Sequence, residues 1–238
     1  MDKKRLKYLI LYHVNSAKYL LAILALIMGI NLALGLIFKN VQNPVGSIEI
    51  AAFGFALFVG YELFGEAFSF ALINGISRKT YYLANIISTV ILSVILGVVT
   101  AATTWLSIKF ANNLILYTLL YGENILGLFI WCVAAMFVLI TLLHFTALVV
   151  YRLSKRAKYI VLTVAVLLGP AIYLLNYAFT GLNAALARFG LLLLGFSRTG
   201  QLAPNPFLAA GMFTSLAVCV LLLSCCSCAG LRQSKSEI

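Results

Sequence analysis

Six segments of this sequence are each apolar over the length that a membrane span needs, and nothing else in it restricts the fold as much. They run from about Tyr19 to Phe38, Ile50 to Ile73, Tyr82 to Ile108, Ile125 to Tyr151, Tyr159 to Phe179 and Phe207 to Leu231. A bilayer core ~30 Å thick is crossed by about 20 residues of helix rising ~1.5 Å each. None of the segments alternates apolar and polar residues with the period of two that marks a barrel strand. The expected fold is therefore an all-α membrane protein with six transmembrane helices. The composition agrees: 63% of the 238 residues are hydrophobic and 10% charged, whereas soluble domains carry about 25% charged residues. No repeat of fixed period, no linker and no soluble domain interrupts the chain, so residues 1–238 read as a single transmembrane domain.

The net charge of +11 would suit nucleic acid if the basic residues formed a stripe along phosphates. Their placement argues for topology instead. With six spans both termini share a side. On that side lie Lys3, Lys4, Arg5, Lys7, Lys18, Arg78, Lys79, Arg152, Lys155, Arg156, Lys158, Arg232 and Lys235, thirteen of the 17 basic residues. Lys39, Lys109, Arg188 and Arg198 fall on the other. Basic residues collect on the cytoplasmic side of membrane proteins, so both termini are expected there. The basic face would contact anionic lipid headgroups, with no nucleic acid as partner.

Two segments outside the spans have character of their own. Residues 1–18 do not read as a cleaved signal, because the basic stretch is long and the apolar run after it is span-length. Leu6, Leu9, Ile10 and His13 or Val14 fall near one helical face with the lysines elsewhere, which predicts an amphipathic helix lying in the cytoplasmic interface. A frayed basic tail is the plainer reading. Residues 180–205 are partly apolar but too short to span, and predict a re-entrant or extracellular helix pair broken near Gly190. Pro204 and Pro206 then mark entry to the last span.

Chemical motifs are sparse. The sequence has no G-x-x-x-x-G-K-[ST], no H-E-x-x-H, no G-x-S-x-G and no paired C-x-x-C. With His13 and His144 as its only histidines, no metal site is expected. The five cysteines (Cys132, Cys219, Cys225, Cys226, Cys228) are odd in number and lie in apolar stretches. They read as small apolar fillers, with acylation or metal binding as alternatives for the cluster at Cys225, Cys226 and Cys228.

Glu62 and Glu66 stand inside the second span, four residues apart and so on one helical face. Glu66 lies ~12 Å from the cytoplasmic end at helical rise, and Glu62 about one turn deeper. An ionised carboxylate there costs roughly 2.5–3.5 kcal/mol, so each is expected to face protein or water or to be protonated. His144 in the fourth span lies at a depth of ~10 Å, similar to that of Glu66, and a Glu66–His144 contact is expected on that ground. These three residues read either as a polar patch in a translocation path or as bonds between neighbouring helices. Membrane proteases of the prenyl-processing type use a glutamate pair with an arginine and further histidines. Here the glutamates are not adjacent, no arginine follows them in the span, and there is one intramembrane histidine. No catalytic residue is assigned.

The connection from Ile73 to Tyr82, I-N-G-I-S-R-K-T-Y-Y, is the most specific stretch. Asn74-Gly75 breaks the second span, and Ser77 can cap a new short helix whose first turn holds Arg78 and Lys79. Tyr81 and Tyr82 then fall at interfacial depth. The run Phe68-Ser69-Phe70-Ala71-Leu72-Ile73-Asn74-Gly75-Ile76-Ser77-Arg78-Lys79-Thr80-Tyr81 resembles the second-span and coupling-helix region of bacterial ABC transporter permeases of the type-2 exporter family. The likeness extends along the whole chain as architecture, and is specific in sequence around Leu72 to Tyr82. It implies that Asn74, Gly75, Ile76, Ser77, Arg78, Lys79 and Thr80, in a coupling helix over 74–81, dock into a separate nucleotide-binding subunit. The N-terminal helix would touch that subunit too.

The expected function is thus the permease subunit of an ATP-driven ABC exporter in a bacterial cell membrane. It would be multi-pass, and would work as a homodimer or with a related permease. ATP and Mg would be bound by the partner ATPase subunit; this chain is not expected to be an enzyme or to hold a cofactor. A wall rich in Phe, Leu, Ala and Gly favours an amphipathic or hydrophobic cargo: an antimicrobial or toxin peptide, a drug or a lipid-like molecule. The alternative is a proton-coupled secondary transporter using Glu62 and Glu66; a membrane-embedded protease is disfavoured by the three departures above.

Overall fold

The computed structural model describes residues 3–37, 48–62, 68, 71, 73–110, 116–122, 124–154, 157, 163, 189–196 and 204–230. Among the described residues the labelled elements are all α-helices: α1 (Lys3–Ile37), α2 (Ile48–Glu62), α3 (Arg78–Phe110), α4 (Leu116–Tyr121), α5 (Ile125–Arg152) and α6 (Pro206–Gly230). Four contain stretches long and apolar enough to cross a membrane: Lys4–Ile30, Arg78–Lys109, Ile125–Tyr151 and Pro206–Cys225. A shorter apolar stretch, Glu49–Tyr61, lies in α2. Of the expected fifth span over 159–179, all but Thr163 lies outside the described residues.

Two expectations about helix boundaries are corrected. The N-terminal segment is not a separate interfacial helix: α1 runs unbroken through residues 18 and 19, because no Gly or Pro precedes Gly29. Its apolar face is laid on protein. Leu9 and His13 are buried, while Lys4, Lys7 and Lys18 are exposed. Likewise the expected short coupling helix is the first turn of α3. Once Ser77 has started a helix nothing stops it, since the next Gly or Pro is Gly97.

α5 is the central helix, packed against α6, α3 and α2, while α1 lies on α3 and touches α2. Leu24 and Met28 of α1, Ala52, Ala56 and Val59 of α2, Leu92 and Leu96 of α3, and Met136 and Ile140 of α5 form one apolar core. The α3–α5 crossing is close because Gly97 has no side chain. A Cβ there would stand 2.6 Å from Val133 Cα and 2.8 Å from Val133 N, so the backbones touch directly. α1 and α3 run parallel: Leu9 shares a cluster with Tyr81, and further along Thr103 Oγ1 donates to Met28 Sδ at 3.5 Å. The bundle therefore has a basal end, where α1 and α3 begin, and a distal end, where α4 lies.

Large apolar side chains face outward along these helices, among them Leu26 at 64%, Leu222 at 62% and Leu223 at 57% exposure. A surface of this kind suits hydrocarbon and not water. The elements among the described residues are all helical, and their exterior is apolar as in a multi-pass membrane protein.

Candidate functional site

At the basal end, the chain enters α3 through a turn over 74–77 built from local rules. Ile76 N donates to Ala71 O at 2.9 Å, and Gly75 takes φ +64°, the left-handed conformation that closes a helix C-terminus. Ile76 and Ala71 are both buried in one cluster, giving the apolar contact that accompanies this motif. Ser77 then caps α3. Thr80 N donates to Ser77 Oγ at 3.2 Å, the two hydroxyls lie 2.8 Å apart, and Tyr81 N donates to Ser77 O at 3.0 Å.

The turn is fastened to three helices. Its cluster joins Leu9 of α1, Phe68, Ala71 and Ile76, Tyr81 and Ala84 of α3, and Ala147 and Leu148 of α5. Phe68 meets Tyr81 and Tyr151 edge-on, each with ring centroids 5.2 Å apart. Of the docking residues expected from the sequence, Ile76 and Thr80 point inward; Asn74, Gly75, Ser77, Arg78 and Lys79 are exposed. Inward residues fix the turn and outward ones present two cations. Nearby, Tyr82 Oη donates to Leu221 O and ties α3 to α6.

Of the expected intramembrane polar residues, His144 is 2% exposed in α5. Glu66 and the side chain of Glu62 lie outside the described residues, as does any contact between Glu66 and His144. The sequence reading missed two features here. His13 is buried as well: it is 2% exposed, and its ring centroid lies 6.1 Å from that of Tyr81. In the sequence it is marked only by falling, with Val14, near the apolar face of the N-terminal segment.

The second missed feature is a polar stripe on α3. Asn85, Ser88, Thr89, Ser93, Thr100, Thr104 and Ser107 are all buried and extend from residue 85 to residue 107, ~33 Å of helix. Their helical spacing was readable, but isolated Ser and Thr carry no motif. Some are satisfied along their own helix: Ser93 Oγ donates to Val90 O and Thr100 Oγ1 to Leu96 O, both at 2.8 Å. Among the described residues, the Asn85 carboxamide and both His13 ring nitrogens have no hydrogen-bond partner. Buried polar atoms in that state favour water or a polar ligand group.

On its outward face α3 forms, with α5 and α6, an open lateral cleft of about 480 Å³ lined by Val90, Val94, Val98, Phe129, Phe137 and Phe207, among others. Its hydroxyls are turned away: Ser93 bonds Val90 O, and Thr214 Oγ1 donates to Gly211 O at 3.0 Å. What remains is an apolar surface with room for a chain-like group.

The distal end is locked by a third set, also missed. Glu49, 1% exposed, accepts from Leu116 N at 2.7 Å and from Tyr117 N at 3.2 and 3.3 Å, holding the start of α4. Tyr117 Oη donates to Asn124 O and Tyr121 Oη to Leu194 O, each at 2.8 Å. Asn124 caps α5 and Asn205 caps α6 through their side chains. Burial, with Cys132 and Tyr121 adding to it, pushes the Tyr117 phenol up to about 12, and burial raises that of Tyr121. Of the expected helix pair over 180–205, residues 180–188 and 197–203 lie outside the described residues, as does any break just before Phe189; the described turns over 189–193 end at Gly195, where Phe196 N donates to Leu191 O at 2.9 Å.

Among the described residues, no group of three or more His, Cys, Asp or Glu side chains lies together. Cys132 is buried and Cys219 and Cys225 are exposed, all three as free thiols. In comparisons with known proteins, no family model, curated protein or solved structure matches the chain.

Proposed function

We propose that this chain is the membrane subunit of an ATP-driven exporter, paired with a second permease and two separate nucleotide-binding subunits. The observation that carries this reading is the basal turn. It is an exposed cationic element, Arg78 and Lys79, with its inward side packed onto α1, α3 and α5. A push on such a turn passes directly into three helices, which is what coupling an external motor to a membrane bundle requires. In this reading the basal end is cytoplasmic, and residues 74–80 seat in the ATPase subunit. Closure of the ATPases on ATP then tilts α3 against α5. Two copies related by a two-fold axis would complete the pathway.

An amphipathic or hydrophobic cargo fits the interior best. The lateral cleft offers an apolar surface, and elsewhere in the bundle the α3 stripe, His13 and His144 supply buried polar groups. Purifying the tagged chain from its native membrane is expected to bring a P-loop ATPase with it. Combining Arg78→Glu with Lys79→Glu is expected to release that ATPase and abolish stimulation of its turnover, with helical content unchanged. Recovery of the ATPase at the wild-type level by this variant overturns the docking assignment.

A further inference from the structure

A buried polar layer crosses the bundle one helical turn inward from the basal cluster. On α1, His13 stands between Leu9 of that cluster and Ala17 of the apolar core. On α3, Asn85 and Ser88 stand between Tyr81 and Ala84 of the cluster and Leu92 of the core. On α5, His144 stands between Leu148 and Ile140 in the same way. His13, Asn85, Ser88 and His144 are 2%, 1%, 0% and 2% exposed. We infer that this layer is a site for bound water, enclosed between two apolar clusters inside the membrane-spanning bundle.

Helix register brings the layer to one level. α1 and α3 are parallel, and α5 runs against them, from Asn124 beside Tyr117 at the distal end to Leu148 in the basal cluster. His13 is four residues past Leu9, Asn85 four past Tyr81, and His144 four before Leu148. Each therefore lies ~6 Å from its cluster residue, in the same direction along the bundle. The rings of His13 and Tyr81, with centroids 6.1 Å apart, hold α1 against α3 at this height. The candidate membrane-crossing stretches Lys4–Ile30, Arg78–Lys109 and Ile125–Tyr151 all contain layer residues, so bulk water does not reach them from the side.

The layer is under-bonded. Both ring nitrogens of His13, both polar atoms of the Asn85 carboxamide and Ser88 Oγ have no hydrogen-bond partner. Farther along α3, Ser93 and Thr100 satisfy themselves on carbonyls of their own helix. Ser88 does not. Buried groups in that state carry their full desolvation cost, and here they gather on the facing sides of two helices.

The mixture of groups selects the guest. A neutral imidazole and a hydroxyl each donate and accept, and a carboxamide offers two N–H donors and a carbonyl oxygen. An anion would answer only the donors, and a cation only the acceptors. Water answers both, and each molecule takes two to four such partners. Leu9 and Ala17 are ~12 Å apart along α1, so the layer between the clusters is one side chain thick. That is the scale of single water molecules and not of an organic ligand. The site is independent of the exporter reading, because every group it uses belongs to this chain.

The test uses the purified full chain in lipid nanodiscs. Brief X-ray radiolysis makes hydroxyl radicals from water in place, so a buried side chain touching bound water is oxidised, as read by peptide mass spectrometry. His13 is expected to be oxidised, while Met136, 0% exposed in the apolar core and of a more oxidisable type, is spared. Asn85→Leu combined with Ser88→Ala removes partners of the water on α3. It should lower His13 oxidation at least about 5-fold, with helical content unchanged. If that variant does not fold, magnetisation transfer from water to the His13 imidazole in the wild type, by solid-state NMR, decides instead. A strong transfer at short mixing times supports the site, and its absence overturns it. Equal oxidation of Met136 and His13 would mean general water penetration and overturns the enclosed site. An unoxidised His13 overturns it as well, and would mean that the imidazole and the carboxamide bond each other directly. Unchanged His13 oxidation in the folded double variant removes Asn85 and Ser88 from the site and overturns the inference.

Discussion

At the scale of single residues, Glu49 stands out among the described residues as a buried acid. A carboxylate 1% exposed is costly unless bonded, and Glu49 accepts from two backbone N–H groups at the start of α4. Glu49→Ala leaves those donors unmet and is expected to cost about 3 kcal/mol, read by denaturant titration in mixed micelles. Glu49→Gln keeps one acceptor oxygen and should cost less; equal losses would show that the charge matters more than the bonds. Tyr117 gives a second expectation. Its phenol ionises at about 12 in the fold against an ordinary 10.0. A raised folded-state value means that the neutral phenol is favoured by folding. That contribution is complete below pH 10 and is lost as pH climbs toward 12. Absorbance near 295 nm should show a late tyrosine step in alkali that Tyr117→Phe removes.

At the scale of elements, the same substitution has opposite consequences at two glycines. Gly97→Ala forces a Cβ to within 2.6 Å of the Val133 backbone, so α3 and α5 must separate. The expected cost is about 1–3 kcal/mol, with a lower Tm in detergent. Gly29→Ala in α1 meets nothing within 4 Å. It should be neutral or stabilising, by up to about 1 kcal/mol of helix propensity. A similar Tm for both variants would mean that the α3–α5 contact is looser than this crossing. Continuity of α1 and α3 belongs to this scale as well. A displacement at Ser77 or at Lys4 enters a long rigid helix and not a hinge, which suits the transmission proposed for the basal turn.

At the scale of the whole molecule, the charge distribution makes a sidedness prediction. In a cysteine-free background, Lys79→Cys at the basal end should react with an impermeant thiol reagent only in inside-out vesicles. Leu119→Cys, on α4 at the distal end and 63% exposed in the parent side chain, should react only in right-side-out vesicles. Labelling of both from one side would remove the cytoplasmic assignment of the basal end, and with it the docking proposal. The apolar exterior and the polar stripe within α3 are whole-molecule properties too. One solvates the bundle in lipid, and the other places hydrogen-bonding groups inside it.

The sequence by itself determined the helical class and the presence of long apolar helices, because span-length runs without period-two alternation allow no other backbone that satisfies its hydrogen bonds in lipid. It also located the start of α3, since Asn74-Gly75 followed by Ser77 is a stop and a cap written in adjacent residues. It overestimated how often the chain breaks. Amphipathicity in residues 1–18 and the cap at Ser77 suggested separate short helices, whereas helix continuation needs only the absence of a breaker. What the tertiary structure alone decided is which polar groups meet. Glu49 and Leu116 are 67 residues apart, His13 and Tyr81 come from different helices, and Lys4 and Asn74 share one cleft. Such pairs depend on helix rotation and crossing distance. Those are set by contacts such as Gly97 against Val133, which leave no periodic or local mark in the sequence.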